Sequence, residues 1–429
     1  VYPRPAGTLI ASVAQDVFVF FPSIDPCLLR SMTMSFRFAR CAVGAALFTA
    51  LGGLSTAWAA DPIKVGVALD ISGPFAAPGA EVRDGINLAV KLLDGKLGGY
   101  PAEFIQADMA GNPEQARQLV DRLVQRDKID LFTGPVASNV ALAVGPTLFG
   151  AKIPYLTPNA GPSQFAGAQC NPYFFGISYQ NDSMHEAAGQ YAANKGYKKV
   201  VIMAPNYPAG KDALNGFKRL YKQPVADEIY TRVGQLDFAA ELAQLRAAKP
   251  EAVYIFEPGG MGINFIKQFM AAGLAKDIVL ISSPFTADED IIPAIGEPMV
   301  GLFNASSWAH DLDNAANRKF VDAFRQAYGG RYPSLYAAFA YDAVMSMDAA
   351  VRQLGGKVSD REALRQALAK ADFQSVRGTF KYGNNQFGIQ DYYLREIGKD
   401  SAGKITNRLQ PGKILSAHQD AYASQCAMK

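Results

Sequence analysis

At 429 residues, with 49% hydrophobic and 19% charged residues, the chain is long enough for two domains with buried cores and too apolar to be disordered throughout. Its formal net charge is +3; without residues 1–60, which hold four Arg and two Asp, the 42 basic and 39 acidic residues become 38 and 37. A body this close to neutrality gives no electrostatic case for nucleic acid or an anionic membrane as a partner.

Residues 1–31 carry no assignable pattern, and an upstream misassigned start is the simple reading of a chain beginning at Val1. From Met32 or Met34, Arg37 and Arg40 precede an apolar run, Cys41 to Leu54, and then Ala57-Trp-Ala59. That order of basic stretch, apolar stretch and small-residue cleavage site reads as a signal peptide over 32–60, with export to the periplasm and a mature chain from about Asp61. The apolar run is too short to span a bilayer, and Cys41 lies ahead of it, where a lipid anchor is not expected. Cys170 and Cys426 remain after cleavage; an even pair in an exported chain suggests a disulfide, and two unpaired thiols are the alternative.

From Ile63 to Ile71 apolar residues alternate, predicting a strand. Val82, Ile86, Ala89, Val90 and Leu93 then mark a helix face, and Asn112-Pro113 opens a second helix bearing Ala116, Leu119, Val120, Leu123 and Val124. Strands at Asp130–Thr133 and Ile153–Thr157 flank a helix pattern starting near Ser138. This alternation predicts a parallel sheet covered by helices. The rhythm restarts after residue 180, with strands at Lys198–Ala204, Ile229–Val233, Ala252–Phe256 and Ile278–Ile281 and helices between them. From about 310 helices dominate: Asn314–Tyr328, Leu335–Leu354 and Ser359–Ala371, the last opening on a capping box, Ser359 to Glu362. Short strands are expected at Thr379–Lys381 and Tyr392–Ile397. The fold class is therefore α/β, two doubly wound lobes, with the chain crossing between them near 178–181, 304–308 and 385–391. The expected division is 61–179 with 306–385 for the first lobe, 180–305 with 386–420 for the second, and a tail at 421–429.

No cofactor or metal site is expected. His185, His310 and His418 lack ligand spacing and read as surface or partly buried histidines. No dinucleotide loop, phosphate loop or nucleophile elbow occurs, and Asp70 and Asp108, at strand ends, form no arguable acid–base pair, so an enzyme is not expected. Open α/β sheets bind ligands at the carboxyl ends of their strands. In the first lobe this selects Phe75, Ala137, Ser138, Asn139, Asn159, Ala160 and Gly161. In the second it selects Tyr179, Tyr207, Phe256, Glu257, Pro258 and Phe285. Ser138 at a helix start offers a hydroxyl beside free N–H groups, a pocket for an anion, although taken alone it reads as an ordinary N-cap.

Ile63-Lys-Val-Gly-Val67, Ser72-Gly-Pro74, Thr133-Gly-Pro-Val-Ala-Ser138, Tyr155-Leu-Thr-Pro158, Tyr207-Pro-Ala-Gly210, Asp237-Phe238 and Ala271-Ala-Gly-Leu274 stand in an order and spacing that resemble the periplasmic solute-binding proteins of branched-chain amino acid ABC transporters. The resemblance covers about 61–400. It implies a type I binding fold of two lobes with three hinge crossings, a monomer that closes on a small carboxylate and delivers it to a membrane permease. It further implies that Ser138 holds the ligand carboxylate and that Tyr207 reaches the ligand from the second lobe. Two positions depart from the pattern. Asn159-Ala-Gly161 lacks the family's threonine, and Ser283-Pro-Phe285 lacks the glutamate that pairs with an amino acid's ammonium. Burying an ammonium without a counter-charge costs several kcal/mol, so the departure favours an aromatic acid such as a benzoate or cinnamate. Glu257 would then accept from a ring hydroxyl, and Pro258–Met261 resembles the turn of the family's aromatic-acid branch. An amino acid ligand, with Asp288 or Glu257 as substitute counter-charge, is the alternative, as is a ligand-sensing partner of a signalling receptor.

Overall fold

The computed structural model describes residues 61–428; the expected leader (1–31) and signal peptide (32–60) lie outside them. The first sheet contains β1 (Ile63–Leu69), β2 (Lys96–Leu97), β3 (Tyr100–Asp108), β4 (Leu131–Thr133), β5 (Tyr155–Leu156) and β6 (Phe174–Phe175), in the order β2-β3-β1-β4-β5-β6. All but β2 run parallel. The helices α1 (Ala76–Leu92), α2 (Pro113–Arg122), α3 (Ser138–Gly150) and the short α4 (Ser163–Ala166) connect them. Asn112 caps α2, its side-chain oxygen accepting from the N–H groups of Glu114 and Gln115 at 2.9 and 3.2 Å. Between β4 and α3 the chain turns at Gly134, whose φ is +92° and where a Cβ would lie 1.7 Å from the Ala68 carbonyl oxygen. Only glycine fits that turn.

The second sheet repeats the pattern. After α5 (Asn181–Lys195) come β7 (Val200–Pro205), α6 (Pro208–Tyr221), β8 (Asp227–Thr231), α7 (Ala239–Ala248), β9 (Ala252–Ile255), α8 (Gly260–Ala271), β10 (Val279–Ser282), α9 (Ile292–Ile295) and β11 (Phe303–Ser306). The parallel strands lie in the order β8-β7-β9-β10-β11, the counterpart of β3-β1-β4-β5-β6. Each sheet thus reverses its winding beside its first strand, between β1 and β4 and between β7 and β9. Those are the points where such sheets open a crevice for a ligand.

The chain then returns to the first lobe. Helices α10 (Ala315–Ala327), α11 (Leu335–Gln353) and α12 (Arg361–Ala369) pack there, α11 lying so close to α1 that a Cβ on Gly85 would come within 2.2 Å of the Ala337 carbonyl oxygen. The expected capping box at Ser359 does not form. Asp360 is the N-cap, its carboxylate accepting from Glu362 and Ala363, because a charged acceptor meets two free N–H groups and the helix dipole at once. After β12 (Lys381–Tyr382), strand β13 (Gly388–Lys399) makes the third crossing: Phe387, just ahead of it, bridges to Gly176 beside β6, and its later residues pair with β11, β14 (Ile405–Leu409) and β15 (Leu415–His418). Cys170 and Cys426 form a disulfide that joins the C-terminal segment to the loop after α4.

Candidate functional site

The first-lobe corner is built by a buried carboxylate. Asp70, directly after β1, accepts from the N–H groups of Gly111, Val136 and Ala137 at 2.9, 2.8 and 3.2 Å. It therefore braces the turn between β4 and α3. Burial pushes its carboxyl pKa up, against the pull of those three N–H groups. Ala137 is the N-cap of α3, and Ser138 is its first helical residue. Ser138 is thus not a capping serine. Its hydroxyl oxygen accepts from Asn181 Nδ2 at 3.1 Å, which leaves its own O–H proton for an incoming acceptor. The N–H groups of Ser138 and Asn139 have no partner among the described residues. The Ser138 hydroxyl and its own unpaired N–H at a helix start make a receptor for an anion.

The second-lobe corner is aromatic. Tyr207 follows β7, Phe256 and Pro258 follow β9, and Phe285 follows β10. Tyr207 and Phe256 stack at 6.3 Å between ring centres, and Phe256 meets Phe285 edge-on at 5.5 Å. Tyr179 and Tyr336 flank Phe285 at 5.3 and 5.9 Å, and Phe75 reaches across from the first lobe to within 5.8 Å of Tyr207. The Tyr179 hydroxyl donates to Asn159 Oδ1, and the Asn159 amide donates to the Val136 carbonyl at 2.7 Å, so these two wall residues are held by the braced turn. The cavity between the corners is small, about 20 Å³, and partly open at the mouth.

Of the residues selected from sequence, Phe75, Ser138, Asn159, Tyr179, Tyr207, Phe256, Pro258 and Phe285 meet in this wall. Ala137, Asn139, Ala160, Gly161 and Glu257 are not part of it. The Ala137 N–H is taken by Asp70, and the Gly161 N–H donates to Asn181 Oδ1 at 2.9 Å. Glu257 is fully buried beside Thr231, whose hydroxyl donates to Oε1 at 2.7 Å; Oε2 has no partner among the described residues, and desolvation raises the pKa to about 8. Asp288 is committed elsewhere, 2.9 Å from the guanidinium of buried Arg395 and accepting from the Leu335 N–H.

Sequence reasoning missed α5. Its first residue, Asn181, uses its whole amide: Oδ1 accepts from Gly161, and Nδ2 donates both to Ser138 and, at 2.9 Å, to Asp212 of α6. One turn on, His185 lines the cavity and is 1% exposed, which corrects its reading as a surface or partly buried residue. Its imidazole touches Phe256 and Phe285, with ring centres 5.0 and 5.9 Å away. Burial lowers its pKa to about 3, so it is neutral at ordinary pH. Tyr336, Val136 and Ala209 complete the wall. The signal that could have found Asn181 is its place at a crossing, directly after Tyr179-Gln180.

A periplasmic binding protein family model matches residues 62–404. The Leu/Ile/Val-binding protein homolog 6 of Brucella melitensis is 28% identical over 361 residues, covering 81% of this chain and 91% of that protein. A solute-binding protein of an ABC transporter from R. palustris, solved in complex with benzoate, is 34% identical and superposes with a TM-score of 0.80 over 85% of this chain and 99% of its own. Another, from Rhodopseudomonas palustris BisB5 in complex with 3,4-dihydroxybenzoic acid, is 28% identical, with a TM-score of 0.77 over 84% and 99%. With two lobes of matching strand order around a cleft at their winding reversals, and this match across most of its length, the chain belongs to the periplasmic binding protein family.

Proposed function

We propose that the protein captures a small aromatic carboxylate of the benzoate type and hands it to the membrane permease of an ABC importer. One observation carries this reading: the cavity wall joins an anion receptor at Ser138 to a box of aromatic rings, and it contains no Asp, Glu, Lys or Arg. A carboxylate finds donors there, and a flat apolar ring finds faces and edges to pack on. An α-ammonium finds no counter-charge, since Asp288 is paired with Arg395 and Glu257 is not a wall residue. The similarity to solute-binding proteins solved with benzoate and a dihydroxybenzoate supports the same ligand class. Lobe closure is the mechanism: contacts that exist only when both corners meet the ligand bias a hinge motion, and no bond is broken.

The test is a thermal-shift panel of benzoates, cinnamates and branched-chain amino acids, followed by calorimetry. A benzoate-type acid is expected to raise the melting temperature while leucine does not. Stabilisation by leucine and by no aromatic acid replaces this reading with an amino acid binder. Ser138→Ala is expected to weaken binding of the best acid by about 1–3 kcal/mol, the scale of a hydrogen bond to a charged group.

A further inference from the structure

The first turn of α5 presents two polar side chains to one cavity. Asn181 stands at the Ser138 end and His185 four residues later, about 6 Å further along the helix axis. An aromatic carboxylate anchored at Ser138 and lying along this turn places the far side of its ring beside His185.

What His185 offers there follows from its other nitrogen. Nδ1 is hydrogen-bonded to the hydroxyl of Tyr254, on β9. That hydroxyl is buried and has no other partner among the described residues, so its proton goes to Nδ1. A neutral imidazole that accepts at Nδ1 carries its hydrogen at Nε2. Nε2 itself has no partner among the described residues, and the imidazole it belongs to sits between Phe256 and Phe285. The far end of an otherwise aromatic box therefore holds one fixed N–H donor.

We propose that His185 sets specificity by donating its Nε2–H to an oxygen substituent on the ring of the ligand, on the side away from the carboxylate. The preferred ligands are then hydroxybenzoates, with unsubstituted benzoate weaker because it leaves a buried donor unpaired. Tyr254 is a positioning residue that fixes the tautomer. The proposal rests on the aromatic-carboxylate reading above and adds to it a preference within that class.

Calorimetry on the wild-type protein with benzoate, 3-hydroxybenzoate and 4-hydroxybenzoate separates the two. Binding of any of them upholds the ligand class; the preference is read from their ratio. At least one hydroxybenzoate is expected to bind tenfold or more tighter than benzoate. In His185→Phe, which keeps an aromatic ring in the box, that ratio is expected to fall to about one. Tyr254→Phe, which leaves every wall residue in place, is expected to lower it at least threefold by releasing the tautomer. Benzoate binding as tightly as both hydroxybenzoates in the wild type overturns the assignment while leaving the ligand class intact. So does a ratio unchanged in the two variants, and Tyr254→Phe alone decides it if His185→Phe does not fold. If none of the three acids binds, the ligand class fails and the assignment with it.

Discussion

Glu257 shows how a buried carboxyl without a full set of partners leaves a mark on stability. In the folded protein it keeps its proton up to about pH 8, whereas in the unfolded chain it ionises near the ordinary value of 4.5. Between those values the folded state binds more protons, so this group makes stability fall as pH rises. Glu257→Gln removes the titration and keeps an acceptor for Thr231. The unfolding free energy of the variant relative to wild type is expected to climb with pH between about 5 and 8, by up to about 1.4 kcal/mol per pH unit. Urea denaturation across that range checks it, and parallel curves for the two proteins would refute it. His185 carries the opposite sign. Its pKa is depressed to about 3, so its contribution is fully present above the unfolded value of 6.5 and is lost as pH falls below it. At neutral pH both groups are uncharged for the same reason, the cost of desolvating an ion.

Helix α5 carries Asn181 and His185, and its own position depends on one missing side chain. A Cβ at Gly189 would lie 2.1 Å from the Phe217 carbonyl oxygen of α6. Gly189→Ala is therefore expected to destabilise the fold by about 1–3 kcal/mol, the cost of overpacking, and to weaken ligand binding as α5 is pushed from the cleft. Thermal unfolding and calorimetry read the two effects separately, and a variant as stable as wild type would show that the helices part freely. The same helix marks the limit of what the sequence makes legible. The central strands announce themselves as short apolar runs buried on both faces, α1 and α2 by an apolar stripe, and the second-lobe aromatic residues by their place at strand ends. Helix α5 is buried almost all round, and its interior faces are filled by polar groups that pair with other elements: Asp182 and Glu186 with Arg219, and Glu186 with His418. Such a helix has no apolar stripe to read. Glu257 was legible in part. Its place at a strand end was legible, but its carboxyl is held by Thr231, the last residue of β8.

Across the whole molecule, the two sheets wind in the same order and meet at their reversals, so the cleft is two equivalent corners set face to face. Contacts across it already use polar groups. Ser163, at the start of α4, donates both its N–H and its hydroxyl to Asp212 on α6, at 3.1 and 2.7 Å, beside the Asn181 amide that ties Ser138 to the same carboxylate. Asp212→Ala is expected to favour the open arrangement, to release the Asn181 amide and to weaken the best ligand several-fold; an unchanged Kd would show that these bonds do not help closure. The disulfide acts at the same scale, linking residues separated by 256 positions. Replacing both cysteines by serine is expected to cost about 2–5 kcal/mol of stability, read by denaturant titration.

That bridge also simplifies how the molecule matures. Residues 61–428 contain two of the chain's four cysteines, so once residues 1–60 are removed, as the expected signal peptide cleavage would do, one intramolecular pairing exists. Refolding from the reduced state then needs an oxidant and no isomerase.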